Sequence, residues 1–481
     1  MPITVLGGTT SAAGAFEVAN SVRMNGDARM YITPSAGDAD KWTFSCWVKR
    51  SVISSGSQTL ISAKDGSNYM TEIRFNSDDT IDFYSEDGAS GFNGRLNTSR
   101  KFRDVSAWYH VVAVWDSENG TAGNRMRLYI NGVEETSFET DTNPDQNTDS
   151  WAYDGKVLQI GRDGRDQGFF DGYMAEVVFI DGLALTPTSF GEFDSDSPTI
   201  WKPIDVSGFT FGNNGFYLDF EDSSALGNDV SGNNNDFTAT NLAAIDQCND
   251  SPTNNFCTMN PLENYIPAHT FSQGNNTIAT TDASETYTMS TFGVTKGKWY
   301  FEALLDGTTY SEFSQIGVAS TKGPAAGDYL GDTQTGYGYD NTGNYRKNDD
   351  DSIDIVSYGD TFTGDDIIGV YLDLDNSKLY FGKNGTIQNS GTGISITAAA
   401  SALITGTYFF CVGDRQADDA IWHCNFGNGS FSETAMSSGN ADANGYGNFE
   451  YDPSAGGASS FDSAAKNFLA ICSKNLGSDG G

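Results

Sequence analysis

An all-β chain is what this sequence predicts, on three observations. Apolar residues alternate with polar ones at period two in many short runs. Glycine is abundant, 55 of 481 residues, and often follows Asn or Asp, the chemistry of tight turns that need positive φ. Long apolar stripes at period 3.6 are absent, while aromatic residues reach 13%. At 481 residues the chain has room for two or three domains, each able to bury a core of its own.

Residues 1–15 lack periodicity and read as an N-terminal arm. Strands begin at Phe16. In "KWTFSCWVKRS" (41–51) Trp42, Phe44, Cys46 and Val48 fall on one face. "TEIRFNSDDTIDFYS" (71–85) reads as strand, Asp-Asp turn, strand. The first strand of "SAWYHVVAVWDSENGTAGNRMRLYINGVEETSF" (106–138) is apolar on both faces and is expected to be central; the second alternates Met126, Leu128 and Ile130 before an Asn131-Gly132 turn. Within 158–193, Gly161 and Gly172 punctuate strands, and "LTPTSFGEF" is a short helical turn or loop. In their order and spacing, "WTFSCWVKRS", "AWYHVVAVWD", "RLYINGV", "LQIGR" and "FFDGYMAEVVFIDGLAL" resemble the signature strands of the concanavalin A-like/laminin-G-like jelly roll over 16–195. That resemblance implies two antiparallel sheets packed face to face, often with glycan or Ca²⁺ bound at loop edges.

The stretch 196–274, rich in Asn, Asp and Ser over 196–265, reads as a connector whose short strands pack on one or both neighbours. Next, "YGDTFTGDDIIGVYLDLDNSKLYFGKNG" (358–385) is a β-hairpin: Ile368, Val370, Leu372 and Leu374 alternate with Gly369, Tyr371, Asp373 and Asp375, the second set expected toward solvent. With "GKWYFEALL", "SQIGVAS", "GYGYDNTG" and "IWHCNFGNGSF", it follows the order of a SPRY domain over 275–432. The resemblance implies a β-sandwich that presents loops to a partner, with no catalytic residues. The extension 433–481 holds a last strand and an apolar segment, "KNFLAICSKNL", expected to dock on a neighbour or to fold back on the SPRY domain.

The whole combination, including "DSPTNNFCTMNPL" (250–262) and "NGYGNFEY", resembles virion proteins of tailed phages of marine bacteria. This implies a tail fibre or receptor-binding component that binds host glycan or envelope, or a capsid or tail decoration protein. Its partners would be other virion proteins and copies of itself, a trimer by analogy, assembled in the host cytoplasm. No heptad stalk is present to enforce a trimer.

A formal net charge of −37 repels phosphate backbones and anionic bilayers, so neither nucleic acid nor membrane insertion is expected. No run of about 18 apolar residues occurs, and the N-terminus lacks the basic and apolar regions of a signal peptide. Six cysteines are too few for a disulfide scaffold; Cys411–Cys424 and Cys248–Cys257 are the pairs to consider, beside buried free thiols.

Catalysis finds no support. Glycan hydrolysis needs two carboxylates about 5–10 Å apart across a cleft, and the nearest pattern, Glu192-Phe193-Asp194-Ser195-Asp196, lies in a Pro-flanked loop. His110, His269 and His423 have no HxxxH or HExxH spacing. Two sets of hard oxygen donors suit Ca²⁺, the only cofactor considered: Asp116, Asn119 and Asn124, and Asp163, Asp166 and Asp171. Solvated turn acids are the alternative. For sugar recognition the candidates are loop-proximal aromatics: Tyr69, Tyr84, Trp151, Tyr153 and Phe169 in the first sandwich, and Tyr310, Tyr329, Tyr337, Tyr339 and Tyr345 in the second.

Overall fold

The computed structural model describes residues 16–35, 37–64, 69–88, 91–151, 155–263, 269–280, 285–310, 313–320, 328–332, 335–348, 353–399, 406–415, 419–453 and 467–478. The N-terminal arm, Tyr153 and residues 349–352, the Asp-Asp-Asp-Ser run of "NDDDSID" (348–354), lie outside the described residues. The chain is all-β, and two compact units meet between Thr253 and Asn254.

The first unit is a sandwich of two eight-stranded antiparallel sheets. Tyr109–Asp116 lies inside one sheet, between Lys41–Arg50 and Met126–Ile130, as its two apolar faces require. Val111, Ala113 and Trp115 enter the inter-sheet core with Trp42, Phe44, Cys46 and Val48. Val112 and Val114 point the other way, under Phe190, Val206, Phe211 and Tyr217. Asn131 (φ 50°) and Gly132 (φ 78°) make the hairpin turn. A Cβ on Gly132 would also sit 2.3 Å from the Trp201 ring, so this position excludes a side chain twice over.

Residues 196–253 finish this unit. Phe216–Leu218 pairs with Asp171–Asp181, Thr238–Thr240 with Arg29–Ile32, and Gln247–Cys248 with Ser21–Asn25. The Asn/Asp-rich sequence serves the backbone: Asp229 accepts N–H bonds from Tyr217, Ser231 and Asn235, while Asn233 and Asn235 both donate to Gly215 O. Buried ion pairs Arg23–Asp246 (3.2 Å) and Lys49–Asp250 (2.7 Å) lock the last turn, and Trp108 Nε1–H donates to Asp250. Breaking one partner of such a pair would leave an uncompensated buried charge.

The second unit sandwiches a nine-stranded and a six-stranded sheet. In the hairpin, Ile367–Asp373 pairs with Lys378–Lys383 in the register Ile368↔Lys383 to Asp373↔Lys378. Ile368, Val370 and Leu372 fill the core between the sheets. The expectation that the opposite face meets solvent holds only at Asp375: Gly369 and Asp373 are buried, and Tyr371 is 1% exposed. Tyr371 joins Tyr300, Tyr380, Phe256, Phe449, Phe468 and Ala470 in a separate apolar cluster. The C-terminal extension therefore folds back on its own SPRY-like sheet. Leu469–Ala470 adds to Lys298–Leu305 in parallel, with Trp299↔Leu469 and Tyr300↔Ala470.

Two buried carboxylates hold that extension. Glu302 accepts from Tyr300 Oη, Asn425 Nδ2 and the N–H groups of Glu450 and Tyr451. Its burial raises its pKa to about 7 against those bonds, which favour the charged form. Asp442 accepts from the N–H groups of Asn444, Tyr446 and Ala470 and from Asn475 Nδ2.

All six cysteines are buried free thiols. Cys411 lies opposite Met289 and Gly317 in one sheet, and Cys424 opposite Ala303 in the other, so their strands are not neighbours and the two are not paired. Cys248 and Cys257 are likewise unbonded.

Candidate functional site

One sheet of the first unit turns a charged and aromatic face away from the core. Alternation places Ile73, Phe75, Ile81, Phe83 and Leu96 inward, which turns Glu72, Arg74, Asp82, Tyr84, Glu86 and Arg95 outward. Three neighbouring strands, Tyr69–Phe75, Thr80–Asp87 and Phe92–Lys101, set these side chains beside one another: Glu72↔Tyr84↔Arg95, and Arg74↔Asp82.

The charges are paired. Arg95 binds Asp82 bidentately (2.8 and 3.0 Å), and Arg74 reaches Glu72, Asp82 and the Tyr84 hydroxyl at 3.3 Å each. Tyr84 Oη donates to Glu72, and Thr59 Oγ1 donates to the same carboxylate at 2.5 Å. Burial raises the Glu72 pKa, partly offset by the Arg74 charge. The guanidinium groups of Arg74 and Arg95 are only partly covered, so their outer edges remain open.

An aromatic ring flanks this row at Glu86. Phe92, the Cα partner of Glu86, is 47% exposed, meets the Tyr84 ring edge-on at 5.3 Å and lies 4.8 Å from the Arg95 guanidinium. Tyr69, 39% exposed, lies on the opposite, core-side face of its strand with Ile73 and Phe75, edge-on to Trp151 at 5.1 Å, and Trp151 Nε1–H donates to the backbone Glu86 O. The Glu86 carboxylate receives Arg165 at 2.5 Å from the 161–170 loop, which closes over the sheet through Ser62 Oγ to Arg162 O and Thr59 N to Gly168 O. The result is a surface with one exposed ring, Phe92, beside planar charged groups, which can stack on an apolar sugar face and bond its hydroxyls.

The structure thus brings Tyr69 and Trp151 together on the core side of the sheet, while Tyr84 lies on the other face, buried beneath Phe92 and Arg74. Phe169 lies on the covering loop, 5.6 Å from Arg162. Phe92, Arg95, Glu86 and Arg165 were not among the residues the sequence singled out. Their signal was the run of polar alternates in three successive strands.

In the second unit Tyr337 and Tyr339 belong to the core, 2% and 0% exposed, and are not loop aromatics. Tyr329 is buried, Tyr345 packs half-buried against the same core, and Tyr310 is exposed.

The acidic sets are each engaged locally. Asp116 accepts from Asn119 Nδ2 (3.3 Å) and faces the Lys41 ammonium at 3.8 Å, while Asn124 is exposed. Asp163 caps the Arg165 and Gln167 N–H groups, Asp166 pairs with Arg162 at 2.6 Å, and Asp171 is half-buried with its pKa pushed up to about 6 by desolvation. Among the described residues no three His, Cys, Asp or Glu side chains converge as a metal-holding group. Glu192 and Asp194 share Lys202, each at 3.3 Å, beside a turn that Asp194 caps. His110 is a buried core residue. Trp201 Nε1–H donates to its Nδ1, so its Nε2–H faces Ser45 Oγ (2.8 Å), and burial lowers its pKa to about 3.

Comparison with known proteins follows the same division. Residues 25–189 match the family described as the concanavalin A-like lectin/glucanases superfamily, and residues 298–410 match the SPRY domain. The ATP-dependent RNA helicase DDX1 of Xenopus laevis is 38% identical over 96 residues, 20% of this chain; the chain spans 12% of that protein's length. Among solved structures, the SPRY domain of human HERC1 is 18% identical, covering 34% of this chain and 96% of its own, with a TM-score of 0.28. The SAP-like pentraxin of Limulus polyphemus is 17% identical over 36% of this chain and 80% of its own (TM-score 0.28). The CBM40 of the Ruminococcus gnavus IT-sialidase is 14% identical over 34% of this chain and 94% of its own (TM-score 0.25). The chain is built from a concanavalin A-like, laminin-G-like jelly roll followed by a SPRY domain.

Proposed function

We propose that this protein is a tailed-phage virion appendage, a tail fibre or receptor-binding component, that binds host surface glycan without catalysis. The observation that carries the glycan reading is the surface around Glu86, where exposed Phe92 flanks the Arg95–Asp82 and Arg165–Glu86 pairs. An exposed ring and planar charged groups on a rigid sheet supply the two contacts that sugar recognition needs without an energetically costly reordering of loops. The virion setting rests on the order of sequence blocks along nearly the whole chain, from the laminin-G-like strands through "DSPTNNFCTMNPL" to "CSKNL". In that setting the other partners are virion proteins and further copies of this chain.

The test incubates the purified chain with host cells, their polysaccharide and phage particles, with Ca²⁺ or with EDTA. Saturable binding to cells that Phe92→Ala weakens, without release of reducing ends, supports the reading. Binding to particles alone assigns a decoration role instead, and sugar release overturns the non-catalytic reading. Loss of binding in EDTA would implicate the 163–171 loop as a calcium-holding segment.

A further inference from the structure

The strand Ile353–Ser357 forms the outer edge of the six-stranded sheet, beyond Asn344–Asn348. All five of its residues are exposed, Ile355 at 56%. Ile353 and Ile355 lie on one face and Val356 on the other. A strand with exposed apolar side chains on both faces and an unpaired edge is a template for another strand; natural edges ordinarily carry charge, proline or a bulge against that outcome, and here Asp354 is the one charge.

The backbone shows which groups are free. Tyr358 N–H donates to Gly343 O at 3.0 Å, and alternate residues of an antiparallel strand bond to the same neighbour. In the register Tyr345↔Val356 and Lys347↔Asp354, it is Val356 and Asp354 that turn their backbone groups inward. The N–H and C=O of Ile353, Ile355 and Ser357 therefore face the open edge. These three residues are symmetric about Ile355.

We propose that this edge pairs antiparallel with the same edge of a second copy, about a two-fold axis at Ile355. Such a pair joins Ile355 to Ile355 of the partner subunit and Ile353 to Ser357 of the partner subunit, using every outward backbone group. On the opposite face Asp354 meets Val356 of the partner subunit and not another carboxylate. Charge does not drive the pairing: the chain carries −37 and Asp349, Asp350 and Asp351 precede the strand in sequence, while its one carboxylate, Asp354, has Lys347 at 3.8 Å. A ring of three would need a second, complementary surface, whereas a strand symmetric about its centre closes as a pair. This inference stands independently of the glycan reading.

The test uses the full chain. Light scattering over a concentration series is expected to give a species of twice the 51.7 kDa chain mass, and Ile355→Lys, at an exposed position, to return it to one chain. Oxidation of Ile355→Cys is expected to cross-link the pair, since directly opposed Cα atoms of a hydrogen-bonded pair lie about 5.5 Å apart, within disulfide reach. Asp354→Cys, which faces no symmetric thiol, is expected not to cross-link, and the native cysteines are buried. A single-chain mass at all concentrations, a dimer or trimer that Ile355→Lys leaves intact, or equal cross-linking from both cysteine variants would each overturn the proposal.

Discussion

The two sandwiches treat the sheet face that turns away from the core in opposite ways. In the first, Glu72, Arg74, Asp82 and Arg95 occupy that face as mutually paired charges, with Phe92 left exposed beside them. In the second, the equivalent alternates are Tyr300, Tyr371 and Tyr380, and Phe449 and Phe468 of the C-terminal extension cover them. Period-two alternation identifies the residues that leave a core, but side-chain chemistry decides what meets them. Arginine and carboxylate satisfy one another at the surface, whereas a row of tyrosine rings gains from being covered.

The largest expected effect breaks the covered face. Phe468 is fully buried, with Tyr371 at 5.2 Å and Tyr380 at 6.5 Å. Phe468→Ala is expected to cost about 3–5 kcal/mol. Hydrogen exchange of the Lys298–Leu305 amides should accelerate accordingly, while the amides of Tyr69–Phe75 in the first unit keep their protection.

Next in size is the pH response of Glu302. Its folded pKa, about 7, lies above the ordinary glutamate value because burial disfavours the carboxylate. The folded state therefore holds the extra proton between about pH 4.5 and 7, and stability falls as pH rises through that window, by at most about 1.4 kcal/mol per pH unit. Glu302→Gln is expected to remove this slope from the second unit. It should also cost about 1–3 kcal/mol, because an amide cannot accept all four donors. Glu176 of the first unit, pushed up to about 8 by burial, should keep its own slope in that variant. Denaturant unfolding at several pH values measures both.

Smaller again is the open face. Phe92→Ala is expected to change stability by less than about 0.5 kcal/mol and to weaken glycan retention about five- to tenfold, read by saturation binding. The smallest effect belongs to Asp166→Asn, which removes an ion pair whose carboxylate is largely exposed. Its cost should stay under about 0.5 kcal/mol in thermal unfolding and shrink further in high salt.

Much of the architecture was legible because it follows from local patterns. "WYHVVAVW" is apolar on both faces and had to be central; Asn131-Gly132 had to turn; Ile368, Val370 and Leu372 had to point inward. The site was legible only in part. Tyr69 and Trp151 could be proposed as aromatics near loops, but Phe92 and Arg95 acquire their role from strands that become neighbours only in the folded sheet. Tyr337 and Tyr339 sit in a "GYGYD" that reads as a loop, because its glycines mask a strand. Gly338 lies there against Leu330, where a Cβ would be 2.7 Å from Leu330 O.

By itself, then, the sequence determined the fold class, the order of its two sandwiches and the inward face of the main strands. Those properties depend on residues close in sequence, through period-two alternation and turn chemistry. Only the tertiary structure decided that residues 196–253 finish the first sandwich, that the C-terminal extension covers the second, and that Arg95, Glu86 and Arg165 gather beside Phe92. Each of these depends on contacts between distant segments. Their free energy comes from desolvation and ion pairing that no local pattern encodes.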